Sequence, residues 1–173
     1  YPLHLGLTEA GTVRRGSIRS AVAIGTLLSE GIGDTIRVSL TGDPKAEITV
    51  AKEILRSLGL LEEGFIFISC PTCGRTDIDV EGIALEVEER LSVLKPPHPM
   101  KIAVMGCVVN GPGEAREADF GIAGGKQEGL LFCKGQAVGK YKNHELADAL
   151  IEKVIETIKE TNDTKEDLAD ESN

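Results

Sequence analysis

Two cysteine-bearing segments hold the residues whose types and spacing are best suited to chemistry. The first is Ser69-Cys70-Pro71-Thr72-Cys73-Gly74-Arg75, and the second runs from Met105 through Cys107 to Glu114 and Ala115. Each follows a short apolar run, 65–68 or 102–105, that predicts a buried strand. Strand ends can lie side by side in an α/β domain, so three thiolates and one carboxylate could converge on one inorganic site.

The spacing of Cys70 and Cys73 is compatible with three kinds of site. A thioredoxin-like redox pair needs its first cysteine at a helix N-terminus, and it would leave Cys107 without a role. A structural zinc site needs four tetrahedral ligands, commonly from two paired knuckles, and the second pair is missing. An iron–sulfur cluster accepts one such pair together with a distant cysteine. On spacing alone, the cluster and the zinc site are equally favoured.

The segment that follows Cys107 favours the cluster. Asn110-Gly111-Pro112-Gly113 predicts a tight loop whose backbone N–H groups can face sulfur, and Glu114 follows directly. On such a loop Glu114 can offer an oxygen to one iron, and a carboxylate is displaced by a substrate more easily than a thiolate. The alternative is that Glu114 caps a helix opening at Ala115. Cys133 stands in an apolar run and is interpreted as a small buried hydrophobe.

Composition narrows the function classes. The chain has 173 residues with 41% apolar and 27% charged side chains, as in an ordinary soluble protein. Its net charge of −9 and its 3% aromatic content argue against nucleic acid as a partner, because phosphate backbones need basic surfaces and single strands need stacking platforms. No apolar run is long enough to cross a membrane, and four cysteines without a signal peptide indicate metal or redox chemistry in the cytoplasm.

The elements that must position the two segments alternate between strands and helices. Strands are predicted at 3–7, 35–40, 65–69, 100–105, 119–125, 130–134 and 136–142, and helices at 17–30, 45–58, 77–94 and 143–160. Strand, helix, strand, helix at this spacing is typical of a parallel α/β unit, whose functional groups lie at the carboxyl ends of the strands. By that rule Thr8, Glu9 and Ser39 are candidates for a working edge.

Several segments of the chain resemble those of a known enzyme family. The segments 70–75, 106–115 and 119–124 closely resemble the C-terminal part of the bacterial 4-hydroxy-3-methylbut-2-enyl diphosphate synthases, and 4–11 and 37–39 match the same family. The resemblance covers roughly residues 1–160. It implies one [4Fe-4S] cluster held by Cys70, Cys73, Cys107 and Glu114. It also implies an oxidoreductase of the methylerythritol phosphate route to isoprenoids.

In that family, two electrons from reduced flavodoxin or ferredoxin open the ring of 2-C-methyl-D-erythritol 2,4-cyclodiphosphate and expel water. Carried over by matching positions, the catalytic residues are Glu9, as proton donor to the departing hydroxyl, and Glu114. The substrate-binding candidates are Asn110, Ser39, Arg37 and Thr8.

The resemblance also predicts the domain organisation. Residues 1–60 are expected to be the last two strand–helix units of a TIM-like barrel, 61–160 a small α/β iron–sulfur domain with a mixed sheet, and 161–173 a disordered acidic tail. Because the chain opens without Met, it is expected to be a piece of something longer. The resemblance implies that the whole enzyme is a homodimer and that this piece is inactive alone. The rival interpretations are a ferredoxin-like electron-transfer module and a structural zinc module.

Overall fold

The computed structural model describes residues 1–107 and 111–170, with side chains described except at 111–112 and 163–170. The chain divides into two compact units, Tyr1–Glu62 and Glu63–Asn173. The division lies two residues after the predicted boundary at 60. In the described part of the chain, no helix is both long and apolar enough to span a membrane.

The first unit contains two strand–helix pairs. Strand β1 (His4–Gly6) precedes helix α1 (Val13–Ser29), and β2 (Thr35–Arg37) precedes α2 (Pro44–Ser57). The strands pair in parallel, with His4 opposite Thr35 and Gly6 opposite Arg37, so the segments after both strands leave the same edge. Helix α2 begins where Asp43 accepts a hydrogen bond from the Lys45 N–H at 2.9 Å, with Pro44 at the first helical position, as helix N-termini prefer.

The second unit is a five-stranded mixed sheet with helices on both faces. Its strands, in sheet order, are β3 (Phe65–Ser69), β4 (Met100–Met105), β5 (Phe120–Ala123), β6 (Glu128–Cys133) and β7 (Gln136–Lys142). The pairs β3–β4 and β4–β5 are parallel, and the pairs β5–β6 and β6–β7 are antiparallel. The carboxyl ends of β3, β4 and β5 therefore meet at one edge of the sheet.

Alternation along β4 divides the core of this unit. Ile102 and Val104 belong to a hydrophobic cluster that also includes buried side chains of α3 (Val80–Ser92) and α5 (Leu146–Asp170). Ala103 and Met105 face the opposite side and pack with Ala115 of the short helix α4 (Gly111–Arg116). Successive side chains of a strand point to opposite faces, so α3 and α5 cover one face and α4 covers the other.

Three helices differ from the sequence-based expectations. Helix α1 begins at Val13, four residues before its predicted start at 17. Helix α4 falls where a loop is predicted, because its small residues pack closely on the sheet. Helix α5 continues to Asp170 after a short 3₁₀ turn at Asn143–Glu145, ten residues past the predicted end at 160. It includes positions 161–170, which composition assigns to a disordered tail. Charged residues such as Lys165 and Glu166 form helices well, so their abundance does not distinguish helix from disorder.

Two glycines of α1 provide a test of the packing in the first unit. A Cβ added at Gly16 would lie 2.4 Å from Leu40 Cδ2 and 3.0 Å from the Gly11 carbonyl oxygen, whereas one at Gly25 would meet nothing within 4 Å. We expect Gly16→Ala to lower the free energy of unfolding by about 1–3 kcal/mol through overpacking. Gly25→Ala should raise it by up to about 1 kcal/mol.

Urea denaturation followed by circular dichroism measures both changes. Because the two substitutions are chemically identical and lie in one helix, helix propensity affects them alike. A Gly16→Ala variant as stable as Gly25→Ala would contradict the close approach of α1 to Leu40.

Candidate functional site

The first cysteine loop begins at the carboxyl end of β3 and folds back on itself. Cys70 N–H continues the strand pairing by donating to the Val104 carbonyl at 3.2 Å. Cys73 and Thr76 then exchange two hydrogen bonds: Cys73 N–H donates to Thr76 Oγ1 at 3.2 Å, and Thr76 N–H donates to the Cys73 carbonyl at 3.0 Å. The loop is therefore a closed turn that ends on Thr76.

The second cysteine loop leaves β4 beside the first. Gly106 N–H donates to Cys70 Sγ at 3.2 Å, and the Gly106 carbonyl accepts from Asp77 N–H at 2.8 Å. On the other side of β4, Gly124 N–H donates to the Met105 carbonyl at 2.8 Å. Gly106 is thus hydrogen-bonded to the first loop through its amide group and to the residue that follows this loop through its carbonyl group.

A cavity of about 430 Å³ lies at this edge and is lined by Cys70, Cys73, Cys107 and Glu114. Its remaining lining residues are Ile68, Ser69, Pro71, Thr76, Met105 and Gly106. Cys107 is buried, Cys70 is half-buried and Cys73 is exposed. The structure therefore brings the four predicted metal ligands to one cavity, because the carboxyl ends of β3 and β4 meet at one edge of the sheet.

Glu114 reaches the cavity from α4, which is held against the sheet. Ala115 is fully buried, and a Cβ added at Gly121 on β5 would lie 2.9 Å from the Ala115 Cβ. Because α4 begins at Gly111, Glu114 lies inside this helix. The interpretation of Glu114 as the cap of a helix opening at Ala115 is therefore wrong.

The donor set fits an iron–sulfur cluster. Three thiols and a carboxylate are ligands that iron accepts, and a cluster presents a separate iron atom to each of them. Among the residues described by the structure, no group of three or more His, Cys, Asp or Glu is placed to hold one metal ion. A tetrahedral zinc site would need its ligands gathered around one point.

Cys133 lies far from the cavity. It pairs with Phe120 across β5 and β6, whereas Leu130 pairs with Ala123 at the cavity edge. The antiparallel direction of β6 therefore carries Cys133 to the opposite edge of the sheet, about 10 Å away at the rise of a β-strand. The four cysteines form no disulfide.

Four of the remaining candidates lie at or just after the ends of the strands of the first unit. Thr8 and Glu9 are exposed after β1, and Ser39 is half-buried after β2. Arg37 Nη2 donates to Thr8 Oγ1 at 3.0 Å, so these two candidates are brought together. Glu9 has a φ of 60°, a left-handed conformation that is uncommon for residues other than glycine. Asn110 lies outside the described residues.

Sequence reasoning missed Thr76, which binds the backbone of the first loop and lines the cavity. The available signal was a hydroxyl residue three positions after Cys73, since such residues often close turns on nearby backbone groups.

Comparison with known proteins assigns both parts of the chain to one family. A family model described as the GcpE protein C-terminal domain matches residues 66–156, and one described as the GcpE TIM-barrel domain matches residues 1–52. The chain belongs to the GcpE family. The first unit of the chain is therefore a TIM-barrel fragment, and the second is the C-terminal α/β domain, as the sequence predicts.

Several relatives of the chain share the name 4-hydroxy-3-methylbut-2-en-1-yl diphosphate synthase (flavodoxin). The chain is 68% identical over 158 residues to that of Clostridium perfringens, covering 91% of this chain and 44% of the relative. It is 61% identical over 160 residues to that of Caldanaerobacter subterraneus, covering 92% of this chain and 44% of the relative. It is 58% identical over 160 residues to that of Geobacter sulfurreducens, covering 92% of this chain and 45% of the relative. The chain thus spans less than half the length of these enzymes, and the family resemblance predicted from its motifs is confirmed.

Proposed function

We propose that this chain carries the iron–sulfur domain and one edge of the substrate site of a 4-hydroxy-3-methylbut-2-enyl diphosphate synthase. The observation that supports the proposal most strongly is the single cavity lined by three cysteines and Glu114. Cys70, Cys73 and Cys107 would hold three irons of one [4Fe-4S] cluster and Glu114 the fourth. The cluster would supply the two electrons needed for reductive opening of 2-C-methyl-D-erythritol 2,4-cyclodiphosphate.

The chain's own residues would bind the substrate and move protons. Glu114, exposed on a short helix, would provide a displaceable oxygen ligand and so leave one coordination position for the substrate. Glu9 would donate the proton that lets the departing hydroxyl leave as water. Arg37, oriented by its hydrogen bond to Thr8, would bind the diphosphate together with Ser39, and Asn110 would contact the substrate near the cluster.

Partners follow from the same proposal. Reduced flavodoxin, which appears in the names of the relatives, or a ferredoxin would deliver the electrons in the cytoplasm. The whole enzyme would be a homodimer in which the cluster domain of one subunit covers the barrel of the other. Since this chain spans 44% of its relatives' length, we propose that it does not convert the cyclic diphosphate alone.

Alanine substitutions of the cysteines test the cluster assignment. After anaerobic reconstitution with iron and sulfide, the Cys70→Ala, Cys73→Ala and Cys107→Ala variants should each lose most of the bound iron, because each removes a thiolate ligand. Cys133→Ala should bind as much iron as the unmodified chain. Iron and acid-labile sulfide analysis measures both outcomes. Zinc bound in place of iron would support the structural zinc module instead.

Substitution of Glu114 separates a catalytic cluster from an electron carrier. We expect Glu114→Ala to retain the three thiolate-bound irons and to lose the fourth on mild oxidation, which produces the EPR signal of a three-iron cluster. The matched control is Glu117→Ala, since Glu117 is exposed just after the same helix and does not line the cavity.

A ferredoxin-like module predicts a different result. Its cluster would depend on thiolates alone, so that Glu114→Ala and Glu117→Ala would give the same spectra as the unmodified chain.

A further inference from the structure

Thr76 links the two cysteine loops through both parts of its side chain. Its hydroxyl oxygen accepts the Cys73 N–H at 3.2 Å, which leaves the backbone amide of that exposed cysteine bonded within the loop. Its methyl group, Cγ2, packs on the second loop, because a Cβ added at Gly106 would lie 2.8 Å from it. Thr76 is half-buried, whereas Cys73 beside it is exposed.

The linkage continues to the Cys70 sulfur. The residue after Thr76, Asp77, donates its N–H to the Gly106 carbonyl at 2.8 Å, and Gly106 N–H donates to Cys70 Sγ at 3.2 Å. A side chain at position 106 would also meet Val80 Cγ2 at 2.6 Å, so only glycine allows this approach. The turn at Thr76 thus determines where the amide that faces the Cys70 sulfur can lie.

We propose that Thr76 is a positioning residue of the cluster site, which fixes the first cysteine loop and keeps the Gly106 N–H directed at the Cys70 sulfur. The inference rests on the proposed function for its cluster, but the hydrogen bonds that carry it belong to the chain itself. Thr76 acts through Cys73 and Gly106 and ligates no iron.

Two consequences follow for a bound cluster. A hydrogen bond to a ligating sulfur stabilises the extra negative charge of the reduced form, so it raises the reduction potential. A loop that is already ordered loses less conformational freedom when it binds, so the cluster is retained more firmly. Loss of the Thr76 hydroxyl should therefore lower the potential and speed the loss of iron.

The first experiment measures amide hydrogen exchange by NMR on the metal-free 173-residue chain. Thr76→Val keeps the branched shape and removes the hydroxyl, whereas Thr76→Ser keeps the hydroxyl. The control is Thr72→Val, the same substitution at an exposed residue of the same loop that makes none of the bonds described here. Thr76→Val should accelerate exchange at Cys73 and Gly106 by on the order of ten-fold, as expected for the loss of one hydrogen bond.

The second experiment measures the reconstituted chain. Thr76→Val should give a more negative cluster reduction potential in a spectroelectrochemical titration and several-fold faster transfer of iron to a chelator. Thr72→Val should match the unmodified chain in both measurements, and Thr76→Ser, which keeps the hydroxyl but loses the methyl group, should lie closer to the unmodified chain than to Thr76→Val.

The outcomes distinguish this inference from the proposed function. If the unmodified chain forms no four-iron cluster, the proposed function fails, and unchanged amide exchange in Thr76→Val would overturn the positioning role separately. The inference is also overturned if Thr76→Ser behaves like Thr76→Val, because the hydroxyl would then be irrelevant. Faster exchange together with an unchanged potential and unchanged iron loss would overturn its role toward the cluster.

Discussion

The parallel pairing of β3 with β4 is the constraint on which the candidate site depends. Because Ser69 lies opposite Val104, the loops that follow both strands begin at the same edge of the sheet. Cys70 therefore lies beside Gly106. The hydrogen bonds from Gly106 N–H to sulfur and from Asp77 N–H to the Gly106 carbonyl are possible only in this register. A shift of one residue would turn the side chains of one strand to the other face and separate the loops.

Strands that combine apolar residues with clear breakers were the easiest elements to predict. The segments 65–69, 100–105 and 136–142 match the observed strands, because they are apolar or β-branched and are bounded by glycine, proline or polar turns. Helix α4 was missed because Gly111-Pro112-Gly113 has poor helix propensity and its position depends on contacts of Ala115 with the sheet. Tertiary packing of that kind leaves no periodic signal in the sequence.

The candidate site shows the same division between local and long-range information. Cys70, Cys73, Cys107 and Glu114 are recognisable from residue type and motif, and they line one cavity. The place of Cys133 at the opposite edge depends on the antiparallel register of β6, which residue type alone does not specify. The hydrogen bond between Arg37 and Thr8 likewise joins residues that are distant in sequence and was visible only once β1 and β2 were paired.

A Mössbauer spectrum of the chain reconstituted with iron-57 tests most directly whether three thiolates and one carboxylate share a four-iron cluster. Oxygen ligation changes the isomer shift of the iron that carries it, so the unmodified chain should show three similar irons and one distinct iron. In the Glu114→Ala variant a water ligand would replace the carboxylate, so the isomer shift of the distinct iron should change, and the component should disappear on mild oxidation. Four equivalent irons in the unmodified chain, or a distinct iron whose isomer shift and stability to oxidation are the same without Glu114, would contradict the assignment of Glu114 as the fourth ligand.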